Sequence, residues 1–188
     1  MENKVRLLAG ELKGRIIKIP KSTQTRPALV LVRRVIADTL MPYVQDARVL
    51  DLFAGTGAFV FEMISRGAGH AVAVDIESKM ARSIEQNARD LQIGDRVQVL
   101  CMDFLKSLEL LGRQKRRFDL IFIPPPFYGD YVNRAMKAIH EHKVADQDSI
   151  LIAHYHKKDK VDREPVGFEL FKTKTHGVSV MDFFVKKD

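Results

Sequence analysis

The chain has 188 residues, one cysteine, no tryptophan and a formal net charge of +7, and 46% of it is apolar. That length suits one packed domain with a small appendage, a lone Cys101 excludes an internal disulfide and fits a reducing compartment, and no apolar run approaches the ~20 residues a membrane-spanning helix needs. The positive balance suits a polyanionic partner, because phosphate contacts supply most of the affinity for nucleic acid; the other reading is a soluble basic surface.

The opening "MENKVRLLAGELKG" is charged and lacks the apolar core of a signal peptide, so a cytoplasmic location is expected. "KVRLLAG" and "GRIIKIP" read as two short strands joined by "ELK". "TRPALVLVRRVIADTL" follows as a helix, with Pro27 in its first turn. Basic residues crowd this region, with Arg6, Lys13, Arg15, Lys18, Arg26, Arg33 and Arg34 facing few acids, and a second basic run is "GRQKRR" at 112–117. From "ARVLDLF" onward, strand and helix alternate: "GAFVFEMISRGA" is a helix, "HAVAVDI" a strand, "SKMARSIEQNARDLQ" a helix, "RVQVLCM" a strand and "FLKSLELLG" a helix. "FDLIFI" is a strand, "DYVNRAMKAIHEH" a helix and "SILIAHY" a strand, and "GFELFKTKT" and "VSVMDFFVK" close the chain as adjacent strands around "HG".

Alternation with continuous apolar strands predicts an α/β fold: a Rossmann-like, doubly wound, mostly parallel seven-stranded sheet with an antiparallel C-terminal hairpin, plus a small N-terminal β-hairpin and helix. Residues 1–43 form the basic appendage and 44–188 the main domain. Ligands of such sheets bind at the carboxyl ends of the strands.

Three successive strand ends carry groups that suit one pocket. In "DLFAGTGAF", Gly55 and Gly57 let backbone approach a ligand closely. A dinucleotide loop would need glycine at 60, where Val60 stands. The next strand ends at Asp75, placed to accept both ribose hydroxyls of an adenosine. The third ends in "CMDF", where Asp103 suits an adenine amine while Met102 or Phe104 packs on the ring. Asp75 and Asp103 each have a second reading as a helix N-cap. No basic loop residue answers a pyrophosphate, whereas Asp51 suits the ammonium of S-adenosylmethionine. The expected cofactor is therefore S-adenosylmethionine, held by Asp51, Phe53, Gly55, Thr56, Gly57, Asp75, Ile76, Met102, Asp103 and Phe104. A nucleotide-dependent oxidoreductase is the competing reading. No cysteine or carboxylate cluster completes His140-x-His142 or His154-x-His156, so no metal site is expected, and Cys101 is expected to be buried.

"FDLIFIPPPFYGDY" runs from a strand straight into three prolines. Proline has no N–H and a fixed φ, and it holds the residue before it extended. The corner at Pro124, Pro125 and Pro126 thus offers carbonyls and no donors.

Together with "RLLAGELKGRIIKIP", "TRP" at 25–27, "DLFAGTGAFVFEMISRGA" with Glu62, and "VDIESKMARSIEQNARDL" with Asn87, this corner resembles the bacterial small-subunit ribosomal RNA guanine-N2 methyltransferases (RsmD-like) over nearly the whole chain. Their catalytic signature is Asp or Asn, Pro, Pro, aromatic. Here that position reads Pro124, Pro125, Pro126, Phe127. The resemblance implies transfer of a methyl group to an exocyclic amine, whose two hydrogens are accepted by a side chain and a proline carbonyl while the aromatic ring stacks on the base. Proline at 124 removes the side-chain acceptor. Val30 and Leu31 stand where the family carries Asp-Arg, and His154 stands near a family Glu. The expected partner is ribosomal RNA or an assembling small subunit, contacted by Arg6, Lys13, Arg15, Lys18, Arg26, Arg33 and Arg34. The protein is expected to be a monomer that does not act at a membrane. The alternative is an S-adenosylmethionine-binding RNA-binding protein with little or no turnover.

Overall fold

The computed structural model describes residues 4–20 and 27–187. A two-stranded antiparallel hairpin opens it, β1 (Lys4–Arg6) against β2 (Ile16–Lys18). Helix α1 (Pro27–Leu40) follows. The rest is β3 (Arg48–Asp51), α2 (Ala58–Ser65), β4 (His70–Asp75), α3 (Ser78–Asp90), β5 (Val97–Cys101), α4 (Phe104–Arg113), β6 (Phe118–Ile123), α5 (Tyr131–Glu141), β7 (Ala145–His156), β8 (Phe168–His176) and β9 (Ser179–Lys186).

The seven strands of the large sheet lie in the order β5-β4-β3-β6-β7-β9-β8. The first five pair in parallel, and β9 runs antiparallel to both β7 and β8. The expected seven-stranded, mostly parallel sheet with a C-terminal hairpin is thus what the chain forms. Successive residues face opposite sides of a strand. Val49 and Leu50 accordingly belong to two different cores. One core holds Ile36 of α1, Ile64 of α2 and Ile84 of α3; the other holds Leu108 of α4 and Ile139 of α5. Both faces being covered explains why the strands read as continuous apolar runs.

β7 starts at Ala145, ahead of the apolar run that marks it in the sequence. Ala145 pairs with Phe118, the register then shifts, and Ser149 donates to the Phe118 carbonyl at 2.7 Å. Polar residues extend this strand because the irregularity leaves them at its exposed end.

The N-terminal hairpin docks through the residues that carry the family resemblance. Leu8 N–H donates to Glu62 at 3.0 Å and Leu12 N–H to the Ser65 hydroxyl at 3.0 Å. Asn87 accepts from Lys18 N–H at 2.9 Å and donates to its carbonyl at 2.7 Å. Leu7 and Ile17 enter the same core as α2. The hairpin therefore packs on the outer side of α2 and α3, and Val5, Val30, Val32 and Arg33 of this segment reach the crevice at the carboxyl ends of the strands.

Candidate cofactor and acceptor site

Strand order reverses between β3 and β6, and parallel sheets bind ligands at such a point. A crevice of about 700 Å³ opens there. Its wall joins the ends of β3, β4 and β5 to the proline corner after β6, to His154 of β7, and to Val5, Val30, Val32 and Arg33 of the N-terminal segment.

The cofactor half begins at Asp51, which is 1% exposed. Its carboxylate accepts from Phe53 N–H at 3.2 Å. Burial pushes its pKa up to about 8; the Phe53 hydrogen bond opposes this and nearby Asp75 adds to it. A cationic ligand beside this carboxyl would favour its ionised form. Gly55, at φ 53°, donates its N–H to Asp75 at 2.7 Å, and Glu77 N–H donates to the other oxygen at 2.8 Å. Both Asp75 oxygens are aimed by backbone and keep lone pairs for a pair of hydroxyls. Thr56 lines the crevice. Gly57 does not: at φ 73° it begins α2, and a Cβ there would sit 2.9 Å from Ile84 and 3.0 Å from Phe61. Its role is close packing of the loop on α3.

Asp103 caps α4, accepting from Leu105 N–H at 2.9 Å and Lys106 N–H at 3.3 Å through one oxygen. The second oxygen stays available, so the cap and the adenine readings are compatible. Ile76 is 71% exposed at the crevice mouth. Phe53 and Phe104 lie 4.9 Å apart, with Tyr131 edge-on to both at 6.0 and 6.2 Å. These residues fit an adenosine with a cationic amino-acid tail: an aromatic and aliphatic slot, an acid aimed at hydroxyls, and a buried acid awaiting a cation.

In the acceptor half, Pro125 is buried, Pro124 half-buried and Pro126 exposed, and all three line the crevice with Phe127. Among the described residues no backbone N–H bonds their carbonyls. His154 is 5% exposed, with Nε2 3.1 Å from the Ser179 hydroxyl. Burial lowers its pKa to about 4, so the imidazole is neutral at physiological pH. Phe127 packs against His154 and His156, with ring centroids 5.6 and 5.4 Å away, and Tyr128 lies 4.8 Å from His156. Tyr128 is 73% exposed and has φ 67°. One carboxylate holds this turn: Asp159 accepts from Tyr128 N–H and from His156 N–H, each at 3.0 Å.

Several sequence expectations change. Cys101 is exposed, not buried, because it is the last residue of β5, the edge strand of the sheet; its sulfur lies 4.0 Å from the Ile76 carbonyl. Arg33, expected on the RNA-facing surface, is 7% exposed and donates to the Arg6 carbonyl at 3.0 Å. It stands three and four residues before the buried Ile36 and Ala37, on the inner face of α1. That spacing was the available signal. Arg6, Lys13, Arg15, Lys18 and Arg34 are exposed. Lys18 pairs with Asp90 at 3.3 Å and Arg34 with Asp38 at 3.6 Å. Arg26 lies outside the described residues. Val30 lines the crevice, whereas Leu31 is exposed away from it. The run at 112–117 precedes β6 and so lies at the opposite end of the sheet from the crevice. Glu77 and Tyr131 also line the crevice and had no sequence signal. Among the described residues, no group of three or more His, Cys, Asp or Glu could hold a metal ion, and no helix is long and apolar enough to cross a membrane.

The family model described as "Conserved hypothetical protein 95" matches residues 5–185. YlbH of Bacillus subtilis is 26% identical over 183 residues, covering 97% of this chain and 100% of its own. The Haemophilus influenzae protein named "Ribosomal RNA small subunit methyltransferase D" is 28% identical over 181 residues, covering 94% of this chain and 91% of its own. Among solved structures, yhhF of Escherichia coli superimposes with a TM-score of 0.89 at 21% identity, covering 98% of this chain and 99% of its own.

Proposed function

The chain belongs to the Conserved hypothetical protein 95 family, and from that premise we propose that it is an RsmD-like methyltransferase: it transfers a methyl group from S-adenosylmethionine to the exocyclic amine of a base in small-subunit ribosomal RNA, with guanine N2 as the acceptor. One observation carries the reading. A single crevice joins an adenosine-fitting wall to a turn that presents hydrogen-bond acceptors and aromatic rings.

When bound, S-adenosylmethionine supplies an electrophilic methyl group on a cationic sulfur. Asp75 receives the ribose hydroxyls, Asp51 the ammonium of the tail, and Asp103 the adenine amine, with Met102 and Phe104 against the ring. Phe127 and Tyr128 take the acceptor base by stacking, once it leaves its own stack. An aromatic amine is a weak nucleophile because its lone pair is delocalised into the ring. Acceptors on both of its hydrogens help to localise that pair and aim it along the line of displacement. The carbonyls of Pro124 and Pro125 serve here, and His154 adds a third acceptor without adding charge near a cationic cofactor. Segment 1–43 supplies the phosphate contacts, through Arg6, Lys13, Arg15, Lys18, Arg26 and Arg34.

The test is transfer of tritium from labelled cofactor to undermethylated small subunits and to naked ribosomal RNA, followed by nucleoside analysis. The expected product is N2-methylguanosine. Another methylated nucleoside would refute the acceptor assignment. No incorporation alongside measurable cofactor binding would refute the transferase and leave an RNA-binding protein that holds the cofactor.

A further inference from the structure

Arg33 is a buried cation that the reaction above does not use. It sits on the crevice wall beside Val5, Val30 and Val32 and is 7% exposed. Nη2 donates to the Arg6 carbonyl at 3.0 Å. Nε is 3.9 Å from a Glu62 oxygen and is buried without a hydrogen bond.

Glu62 cannot answer Arg33 in full. It already accepts from Leu8 N–H at 3.0 Å and from Arg66 Nε at 2.9 Å. One buried carboxylate therefore serves two guanidiniums, of which Arg66 reaches Asp38 at 2.8 Å as well. Burial lowers the Arg33 pKa, Glu62 raises it, and Arg66 lowers it again. A desolvated guanidinium with a spare donor and too little negative charge around it calls for an anion.

Two sources of an anionic oxygen exist: the carboxylate of the cofactor's amino-acid tail and a phosphate of the RNA. The carboxylate fits better. Arg33 has little outer face to offer a phosphodiester strand, and the same crevice holds Asp51, a buried acid. An amino-acid tail carries its ammonium and its carboxylate on one carbon, and a crevice walled by one buried acid and one buried base matches that pair of charges.

We propose that Arg33 binds the carboxylate of the cofactor's amino-acid tail while Asp51 holds its ammonium. The proposal rests on the reading of the crevice as an S-adenosylmethionine site.

Calorimetry with three ligands tests it: S-adenosylmethionine, its decarboxylated form, and 5′-methylthioadenosine, which lacks the tail. The wild-type protein should bind S-adenosylmethionine about 10- to 100-fold more tightly than the decarboxylated form, the range set by a charged hydrogen-bonded partner. Arg33→Gln should shrink that ratio to about threefold or less, with affinity for methylthioadenosine unchanged as the sign of an intact pocket. Arg33→Lys should retain part of the ratio. A full ratio in Arg33→Gln overturns the proposal. So does a full ratio accompanied by weaker, less salt-dependent binding of a ribosomal RNA fragment, which would assign the anion to a phosphate. If Arg33→Gln does not fold, the wild-type comparison still decides, because equal affinity for the first two ligands overturns the proposal alone. Failure of the wild type to bind any of the three overturns the crevice reading along with it.

Discussion

Replacing Asp51 with asparagine removes a titrating group from the cofactor end of the crevice. The carboxyl is 1% exposed, and burial holds its pKa at about 8 against 3.8 for a free aspartate. At pH 7 such a group is about 90% protonated. An ammonium beside it favours the ionised form, so binding drives the proton off. Binding of S-adenosylhomocysteine at pH 7 should therefore release about 0.9 proton per ligand, and affinity should rise about tenfold from pH 6 to pH 7 and by less from pH 7 to pH 8. Calorimetry in phosphate and in Tris, which differ in ionisation enthalpy, reads the proton number directly. Asp51→Asn should abolish both the release and the pH dependence. The ligand-free protein offers a companion reading. Its folded state keeps a proton that the unfolded chain gives up near pH 3.8. Stability should therefore fall as pH rises from about 4 to about 8, and the asparagine variant should lose that fall. Wild-type binding at pH 7 without proton release would refute the pairing of Asp51 with a cationic tail.

Pro124→Asp restores a side-chain acceptor at the turn after β6, and kcat for methyl transfer should rise by about 10- to 100-fold with the cofactor Kd unchanged; no gain would show that the carbonyls and His154 already suffice. Asp159→Ala removes the carboxylate that holds Tyr128 and His156 N–H at 3.0 Å each. The KM for RNA should rise about tenfold through a loosened stacking turn, and an unchanged KM would contradict that role. Glu62→Gln strips the buried counter-charge of Arg33 and Arg66 and should cost about 3–5 kcal/mol in urea unfolding; a loss below about 1 kcal/mol would show that water or movement relieves those guanidiniums.

The strands and helices were legible because the central strands are apolar on both faces, as in "FDLIFI", whose bounds match β6, and α3, α4 and α5 each carry one apolar stripe, whereas α2 is buried almost all round. The crevice wall was legible for a related reason: glycines and acids stand at successive strand ends, and Asp51, Asp75 and Asp103 converge on one crevice. Charge misled more than pattern did. Arg33 reads as a surface cation until its spacing from Ile36 and Ala37 is weighed, and Glu62 and Asn87 matched the family without disclosing that they grip the hairpin backbone. The bond from Tyr128 to Asp159 had no local signal, since the two are distant in sequence and meet only once β6 and β7 lie side by side; the bond from His156 is local. Cys101 read as buried because a free cysteine is usually a small buried apolar residue, yet it ends β5, the edge strand of the sheet, where less of the fold covers it.

A crystal structure with S-adenosylhomocysteine tests the central claim most directly. The ribose hydroxyls should lie within hydrogen-bond distance of Asp75, and the sulfur should face the carbonyls of Pro124 and Pro125 across the crevice. A saturated crystal with that crevice empty, or with the ligand bound elsewhere, would contradict the account.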